Sequence, residues 1–490
     1  MEKCLSREPG RSEYCTAGGI EAILPRDRGR MNSTTQTASI AARLERLPAG
    51  RAMWTRIILL SFGGFFEFYD MFLSAYVGPG LVKSGILTIT TPGLFGTTGL
   101  AGFVAAFFAG LFLGTALFGF VADRFGRRAI FTVSLLWYTA AATTMAFQTT
   151  AFGIDLWRFV AGIGIGVELV TIDAYIAELV PCRVRGRAFA FNQVVQFSAI
   201  PVVAFLAWLL VPITPLGLEG WRWVVLAGSG GALAVWFIRL AVPESPRWLA
   251  QHGRYAEANA IVSRFEAQAI GESGPLPEPV HETVNERTRG SFAEVWRAPY
   301  LTRTLMLIVF NLFQTVGFYG FSNWVPSFLI KQGVAVTASL GYTFVIAIAA
   351  PFGPLLAALF TDRIERKSMI VAAALSVAVF GLAFGQMREA APLILFGVLI
   401  TLANNVMSFS FHAYQAELYP TRIRALAVGF VYSFSRLSTV FSAFVIAFFL
   451  DRLGVAGVFA LIAASMVMVV LAIGIFGPKT RNLSLEAISC

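Results

Sequence analysis

Uncharged apolar stretches recur along this chain and are separated by short polar segments. Two of them, residues 100–121 and 454–477, contain no charged residue at all. Each is close to the ~20 residues that an α-helix needs to cross the hydrocarbon core of a bilayer. Counting such stretches predicts about twelve membrane-spanning helices, which we number in chain order as spans 1 to 12.

The composition is typical of a protein whose surface faces lipid. Hydrophobic residues make up 57% of the chain and charged residues only 13%, and the mean hydropathy is +0.70. An average soluble protein carries roughly 25% charged residues. Water cannot cover a surface with so few charges, so we predict an integral membrane protein embedded in the lipid bilayer.

The basic residues predict how the chain is oriented. Its net charge of +10 would suggest nucleic-acid binding in a soluble protein. Here the cations follow alternate spans, as membrane insertion prefers for cytoplasmic loops. We therefore predict cytoplasmic termini, a location in the inner (plasma) membrane and no nucleic-acid partner. The clustered cations are Arg51, Arg56, Arg124, Arg127, Arg128, Arg183, Arg185, Arg187, Arg363, Arg366, Lys367, Arg422, Arg424, Lys479 and Arg481.

Polar segments at the ends and in the middle divide the chain into five parts. We predict a cytoplasmic N-terminal tail (1–50), a six-helix bundle (51–242), a cytoplasmic linker (243–300), a second six-helix bundle (301–478) and a cytoplasmic C-terminal tail (479–490). The linker is rich in charge, proline and glycine, and we expect a few short amphipathic helices within it.

The two halves of the chain repeat two motifs. Residues 174–185 match residues 413–424, and residues 123–124 match residues 362–363. The copies are displaced by the same 239 positions, because 417 − 178 and 362 − 123 are equal. Parallel repeats of this kind are related by an axis along the membrane normal, place the substrate between the halves and rock to open it to each side.

Several segments resemble the signatures of a known superfamily. Residues 119–128 (GFVADRFGRR) resemble the loop signature of major facilitator carriers. Residues 243–249 (PESPRWL) and 478–481 (PKTR) are similar to the sugar-porter branch and its metabolite-carrying relatives. The resemblance covers nearly all of the chain after residue 50. It implies the major facilitator fold, an all-α membrane protein with twelve transmembrane helices in two six-helix bundles.

The repeated loop motifs contain charges suited to a gate. Asp123 can accept hydrogen bonds from the exposed amides of a neighbouring helix N-terminus. Glu178 and Glu417, with nearby arginines, can form ion pairs across the cytoplasmic mouth in one state and lose them in the other. The alternative is a plain positive-inside loop. The predicted gating residues are Asp123, Arg124, Arg127, Glu178, Arg185, Asp362, Arg363, Glu417 and Arg424.

The residues that the resemblance implies for sugar binding are only partly present. Asn192-Gln193 in span 5 matches a sugar-contacting position of the branch. Span 7 reads Phe313-Gln314 where a Gln-Gln pair is expected, and Tyr319 stands in place of an asparagine. These differences count against a sugar as the substrate.

Charged residues inside the predicted spans point to function, because an ionisable group in hydrocarbon is costly. Glu67 and Asp70 share one face of span 1, and Asp70 lies roughly 10 Å from an outer end near Val77. In proton-coupled relatives an Asp of the first span meets an Arg of the fourth, and Asp70 and Arg158 match those positions. We predict that this pair couples transport to protons, the alternative being a static ion pair between helices.

Glu168 follows three closely spaced glycines at positions 162, 164 and 166. Small residues at such spacing let membrane helices approach closely. Glu168 is therefore either a second proton site or a polar packing residue.

Arg436 lies about half-way along span 11, with no acidic residue in the same span before Asp451. Its guanidinium matches a carboxylate in a two-pronged geometry. Organic-anion carriers of the resembled superfamily have an Arg at the corresponding place. We predict that Arg436 binds an anionic substrate, the alternative being an ion pair with Glu67, Asp70 or Glu168.

These features together predict a secondary active transporter that carries a small organic acid by proton symport. The proton-coupling residues would be Asp70, Glu67, Arg158 and Glu168, and the substrate-binding residues Arg436, Gln193, Gln314, Tyr319, Asn323 and His412. The alternatives are a sugar or polyol symporter or facilitator on the same fold, and a non-transporting sensor. We expect a monomer with no cofactor and no metal. We do not expect an enzyme, because no nucleophile–base set is visible.

Overall fold

We describe a computed structural model of the chain over residues 33–88, 90–118, 124–239, 242–279, 291–360, 363–420 and 423–480. All named secondary-structure elements of these residues are helices. Pro92 and Thr98 form an isolated β-bridge. Of the predicted gating residues, Asp123 and Asp362 lie outside the described residues. The proposed bundle and tail boundaries remain predictions.

The first half of the chain provides spans 1 to 6. Its helices are α1 (Ser33–Glu45), α2 (Arg51–Lys83), α3 (Gly99–Phe118), α4 (Arg127–Ala146), α5 (Ala151–Leu179), α6 (Cys182–Phe197), α7 (Ala199–Leu210) and α8 (Gly220–Arg239). Spans 1 to 4 are α2 to α5, α6 and α7 together form span 5, and α8 is span 6. The linker contributes α9 (Pro246–Gln251) and α10 (Tyr255–Ser273).

The second half provides spans 7 to 12. Its helices are α11 (Tyr300–Ser322), α12 (Val325–Lys331), α13 (Val336–Ala347), α14 (Phe352–Phe360), α15 (Arg366–Gln386), α16 (Ala390–Glu417) and α17 (Arg424–Phe476). Ten helical stretches among the described residues are long and apolar enough to cross a membrane. Spans 7, 9 and 10 are α11, α15 and α16, and α13 with α14 forms span 8. The longest helix, α17, contains spans 11 and 12, because Gly454 at φ 68° breaks the helix. With α8, the described residues provide twelve spans.

Span 1 is longer than the sequence suggested. The helix α2 continues past Val77 through Pro79 to Lys83. Asp70 is therefore further from the end of its helix than the roughly 10 Å expected. The correction arises because residues 78–82 are apolar or small and continue the helix, so that no polar residue ends the span at Val77.

Glycines bring spans 2 and 4 into close contact. A Cβ atom on Gly162 would clash with the carbonyl of Phe107, and one on Gly166 with that of Leu111. Gly110 of span 2 is pressed in the same way against the backbone of Phe159. Only glycine allows two helix backbones to approach this closely. The glycines in this part of span 4 therefore fix its position against span 2.

Aromatic side chains join the two halves. Phe108 of span 2 packs edge-on against Tyr319 of span 7, with ring centroids 4.8 Å apart. Trp208 of span 5 stacks on Phe344 of span 8 at 5.9 Å and an interplanar angle of 9°. We call the side that carries α1, the linker and the described C-terminal end the linker face. These aromatic contacts lie in the half of the interface away from that face.

The helix α1 packs on the linker at the linker face. Arg43 and Arg46 each pair with Glu266 of α10 at 2.6 Å, and Glu45 pairs with Arg247 of α9 at 2.5 Å. Ile40, Leu44, Val262 and Phe265 belong to one apolar cluster beneath these charges. The contacts fasten the linker helices to the start of the first half.

A valine at Gly162 is expected to destabilise the protein. The added side chain meets the Phe107 carbonyl, which cannot rotate away, and overpacking of this kind costs roughly 1–3 kcal/mol. Thermal unfolding of purified Gly162→Val in detergent should give a clearly lower midpoint. The matched control is Gly230→Val, because a Cβ there meets no atom within 4 Å. Equal midpoints for the two variants would contradict the close contact.

Acid should detach α1 from the linker. Burial by itself would raise the pKa of Glu266, but hydrogen bonds from Arg43 and Arg46 outweigh it and hold the pKa below its ordinary value. A depressed folded-state pKa gives stability that is present above the ordinary value of about 4.3 and lost as pH falls through the folded value. Hydrogen exchange of α1, corrected for intrinsic rates, should therefore accelerate below about pH 4.

In the Glu266→Gln variant, the backbone amides of α1 should exchange fast already at neutral pH. Glu257→Gln is the control, because Glu257 lies on the same helix α10 and pairs with Arg254 at the surface. Protection of α1 that is independent of pH in the native chain would refute the electrostatic attachment.

Candidate functional site

Asp70 and Arg158 form a buried ion pair between spans 1 and 4. The Arg158 Nη1 donates to Asp70 Oδ2 at 2.9 Å, and Nη2 donates to the Ser74 Oγ at 3.0 Å. Arg158 is 0% exposed and Asp70 5%. The guanidinium also lies over the Phe107 ring, 4.1 Å from its centroid. The predicted partners are thus in contact, and their role in proton coupling stays a prediction.

Glu67 and Glu168 are buried within the first half. Both side chains are 0% exposed. Ser134 of span 3 donates to Glu168 Oε2 at 3.4 Å, which places Glu168 against span 3. Gly164 faces the same span, since a Cβ there would meet Trp137 and Tyr138. Both proposed roles of Glu168, a proton site and a packing residue, fit this position.

Arg436 lies inside the second half with two phenol groups as its partners. Its Nη1 donates to the Tyr319 hydroxyl at 2.6 Å and its Nη2 to the Tyr432 hydroxyl at 3.1 Å. The guanidinium also lies 4.7 Å from the centre of the Tyr432 ring. Arg436 is 2% exposed, and no ion pair of Arg436 occurs among the described residues. The alternative, an ion pair of Arg436 with Glu67, Asp70 or Glu168, is therefore absent among the described residues.

His412 of span 10 lies next to the same group. Its ring centre is 5.3 Å from that of Tyr432, and its Nδ1 is 3.3 Å from the Gln415 Nε2. Spans 7, 10 and 11 therefore bring Tyr319, His412 and Arg436 together, and their role in substrate binding stays a prediction.

Tyr319 links this group to the first half. Its hydroxyl, which accepts from Arg436, is 3.8 Å from the Met71 sulfur of span 1. Its ring packs against Phe72 as well as Phe108, at 6.4 Å from the Phe72 centroid. The sequence analysis noted Tyr319 because it replaces an asparagine, but could not foresee that it touches both halves.

The three predicted amide residues are polar groups of spans 5 and 7. Gln193 of span 5 is half-buried, while Gln314 and Asn323 are buried on or next to span 7. No hydrogen bond joins any of them to Arg436 among the described residues. Asn192 and Asn323 each bury both polar side-chain atoms without a hydrogen-bond partner in the described part of the chain. Such groups can bind water or a polar ligand.

Asp173 of span 4 is a candidate that the sequence analysis missed. Its side chain is exposed. The signal was available, because Asp173 is an acid within a predicted span, five residues before the repeated motif's glutamate.

Two matching ion pairs lie at the linker face. Arg127 Nη2 is 3.1 Å from Glu178 Oε1, and Arg366 Nη2 is 3.0 Å from Glu417 Oε1. Both residues of the second pair are displaced by the repeat offset of 239 positions from those of the first. The first pair joins spans 3 and 4 of the first half, and the second pair joins spans 9 and 10 of the second half.

The described arginines that follow each glutamate in the chain have other partners. Arg185 pairs with Glu45 at 3.6 Å instead of Glu178, and Glu417 has Arg366 rather than Arg424 as its ion-pair partner. Arg424 donates to the Tyr419 carbonyl at 3.2 Å. The physical reason is that Pro181 and Pro420 turn the chain before each of these arginines, whereas Arg127 and Arg366 begin helices packed beside the glutamates.

Glu244 caps the N-terminus of α4. Its Oε1 accepts hydrogen bonds from the amides of Arg127 and Arg128, at 3.0 and 3.2 Å, in the first turn of α4. A carboxylate at a helix N-terminus is favoured by the helix dipole and by the unpaired amides there. Arg124 and Arg363 are exposed, and neither forms an ion pair with any described residue.

The chain matches the family model described as "Sugar (and other) transporter" over residues 57–490. It is 31% identical to the metabolite transport protein YyaJ of Bacillus subtilis, over 92% of this chain and 98% of that protein. It is 28% identical to the niacin transporter NiaP of Acinetobacter baylyi, over 92% of this chain and 99% of that protein. These matches are to transporters of small molecules and not to enzymes.

Solved structures match the fold. A partially occluded, inward-open structure of the xylose transporter XylE from E. coli superposes with a TM-score of 0.70 at 19% identity. The superposition covers 89% of this chain and 100% of that one. The predicted fold class, an all-α membrane protein of twelve helices in two six-helix bundles, is confirmed. The protein is a multi-pass integral membrane protein.

Proposed function

Since the chain belongs to the sugar (and other) transporter family of the major facilitator superfamily, we propose that it carries a small organic acid by proton symport. Substrate would bind between the two halves, and rocking of the halves would expose it to each side in turn. Arg436 would bind the substrate carboxylate, and Asp70 with Arg158 would carry the proton step.

The observation that carries this proposal is the surroundings of Arg436. A guanidinium in hydrocarbon needs compensation, and its partners within the described residues are two neutral hydroxyls, those of Tyr319 and Tyr432. Phenol hydroxyls accept one hydrogen bond each and leave the positive charge without a counter-ion. A carboxylate ligand would supply both the negative charge and two acceptor oxygens in the geometry that guanidinium prefers.

The proton step rests on the Asp70–Arg158 pair. Removing one partner of such a pair leaves the other charge buried and uncompensated. A proton on Asp70 would remove the need for Arg158 and free it to move, and movement of Arg158 would in turn favour protonation of Asp70. Protonation and helix movement are thereby linked, which is what symport requires.

The niacin transporter among the relatives supports an organic acid, because niacin is itself a carboxylic acid. A sugar or polyol is the second candidate. The buried amides of Asn192 and Asn323, which make no hydrogen bond within the described residues, could serve hydroxyl groups as well as carboxylates.

Ligand binding should depend on Arg436. Purified protein in detergent is tested by thermal shift with benzoate, nicotinate, xylose and benzylamine. A ligand at ~100 times its Kd stabilises by about 2.7 kcal/mol, so the carboxylates should raise the midpoint of the native chain. They should not raise the midpoint of Arg436→Gln. They should raise that of Arg436→Lys only weakly, because lysine keeps the charge but loses the planar fork.

Arg452→Gln is the control, because it removes an exposed arginine from the same long helix. It should retain the carboxylate response in full. If xylose stabilises the native chain and Arg436→Gln alike while carboxylates do nothing, Arg436 is structural and the second candidate replaces the first.

Uptake should follow the proton gradient. One proton per substrate permits about tenfold accumulation for each unit of pH difference, so proteoliposomes with an acidic exterior should accumulate the carboxylate that binds best. Vesicles without protein give the passive leak of the neutral acid, which is subtracted.

Asp70→Asn should lose the response to pH while keeping substrate exchange, which also demonstrates that the variant is folded. Asp451→Asn, at an exposed position beside Lys331, should behave as the native chain does. Carrier-dependent uptake that is the same with and without a pH gradient would rule out symport.

A further inference from the structure

Two tight turns at the face opposite the linker face carry a large apolar residue where the backbone is left-handed. Phe95 (φ 58°) lies in residues 94–97, between spans 1 and 2, and Leu216 (φ 53°) lies in residues 215–218, between spans 5 and 6. In each turn the last amide donates to the first carbonyl, at 3.2 and 3.1 Å, and the third residue is a glycine of positive φ. These are the features of a type I′ turn.

The residue type at the first central position is unusual in both turns. This position is normally Asn, Asp or Gly, because a bulky side chain there costs free energy. Water would add a second cost, since Phe95 is 79% exposed and Leu216 is 89% exposed. These two are the only non-glycine residues with positive φ in the described part of the chain. Strain that recurs with the same exposed chemistry indicates that the side chains have a function.

The first turn is folded back along span 4. Asp155 Oδ2 accepts a hydrogen bond from the Leu94 amide at 3.2 Å, and the same carboxylate lies so close to Gly93 that a Cβ there would clash with it. The Phe95 ring is edge-on to the Phe159 ring, with centroids 6.3 Å apart. Phe159 follows the first residue of α5 by eight positions (159 − 151), or about 12 Å along the helix. The Phe95 side chain therefore lies beside the membrane span and not beyond its end.

The second turn is folded back along span 6. Trp223 Nε1 donates to the Pro215 carbonyl at 3.0 Å and so draws the turn against α8. The apolar groove that contains Leu216 continues to Leu226, six positions after the first residue of α8 (226 − 220), or about 9 Å along the helix. The lining residues of this groove are Leu210, Pro215, Leu216, Trp223, Leu226 and Ala227.

We propose that Phe95 and Leu216 are anchors that insert among the lipid chains of the leaflet away from the linker face. Both side chains lie beside membrane spans and below the helix ends, where the bilayer replaces water. Acyl chains there would cover apolar area that is costly to expose to water. Both anchors belong to the first half of the chain, so the bilayer holds that half through them. The inference is independent of the proposed substrate.

Asp155 is the positioning residue of the first anchor. Its side chain is 1% exposed, and its Oδ1 has no hydrogen-bond partner within the described residues. The bond from the Leu94 amide is therefore what connects this buried acid to the loop. The proposed proton step makes no use of Asp155.

Photocrosslinking in intact membranes tests the anchors. The photoreactive amino acid p-benzoylphenylalanine is placed at position 95, 216 or 149 of the full chain, and the adducts formed on irradiation are weighed by mass spectrometry. Thr149 is the control, because it is exposed in the loop just before span 4. Positions 95 and 216 should each gain a phospholipid, and position 149 should gain none.

Asp155→Ala should abolish the adduct at position 95, because the turn loses its bond to span 4. The adduct at position 216 should persist, which also demonstrates that the variant is folded. Asp155→Asn keeps an acceptor oxygen for the Leu94 amide and should retain the adduct at position 95. Loss at both positions in Asp155→Ala, or at neither, would overturn the positioning role.

Thiol labelling gives an independent measurement of the same contact. In a chain whose four native cysteines are replaced by serine, Phe95→Cys and Leu216→Cys should resist a charged maleimide added on both sides of the membrane, since a thiol in lipid does not ionise. Thr149→Cys should react. Rapid labelling of the two anchor positions overturns the proposal. Crosslinks there to another protein or to a second copy, or no phospholipid adduct at all, do the same.

Discussion

Burial of charge in a medium that solvates it poorly is the constraint on which this protein depends. An unpaired ionised side chain at the centre of a bilayer costs roughly 3 kcal/mol or more. Arg158 meets this cost with a carboxylate, a serine hydroxyl and the face of an aromatic ring. Arg436 has only two tyrosine hydroxyls and their rings. The difference between a satisfied and an under-compensated arginine separates the two candidate sites.

Close contact between helices holds such buried charges in position. The glycines of spans 2 and 4 hold the two helices at backbone contact, and Arg158 lies on span 4 within the same contact region, over Phe107 of span 2. A rigid pair of helices keeps the guanidinium in place, so that in the proposed proton step a change at Asp70 would move whole helices instead of one side chain. Tight packing favours discrete alternative arrangements over gradual deformation.

The internal repeat of the chain is visible in its ion pairs as well as in its sequence. The pairs Arg127–Glu178 and Arg366–Glu417 occupy equivalent positions in the two halves. Each pair braces two spans within its own half at the linker face. In the proposed rocking mechanism this bracing would let each half move as a unit, and the contacts between halves, such as Phe108 with Tyr319, would be the ones to break.

The sequence by itself determined the class of protein, the number of spans and the internal repeat. Apolar length and the absence of charge are local properties, and the repeat offset compares the chain only with itself. The sequence also identified Asp70, Arg158, Tyr319, His412 and Arg436, because an ionisable group or a departure from a motif is visible without coordinates. The packing of glycines 162 and 166 could be anticipated for the same reason.

Only the tertiary structure decided which residue meets which. The partner of Glu178 proved to be Arg127, because Arg185 lies beyond a proline turn while α4 packs beside α5. The N-terminal region contains a helix that binds the linker through Arg43, Arg46 and Glu266. Tyr319 and Met71 lie on helices more than two hundred residues apart in the chain, and no pattern in either helix records that they touch. Pairing across a bundle depends on how helices rotate and pack, and those are properties of the assembled fold.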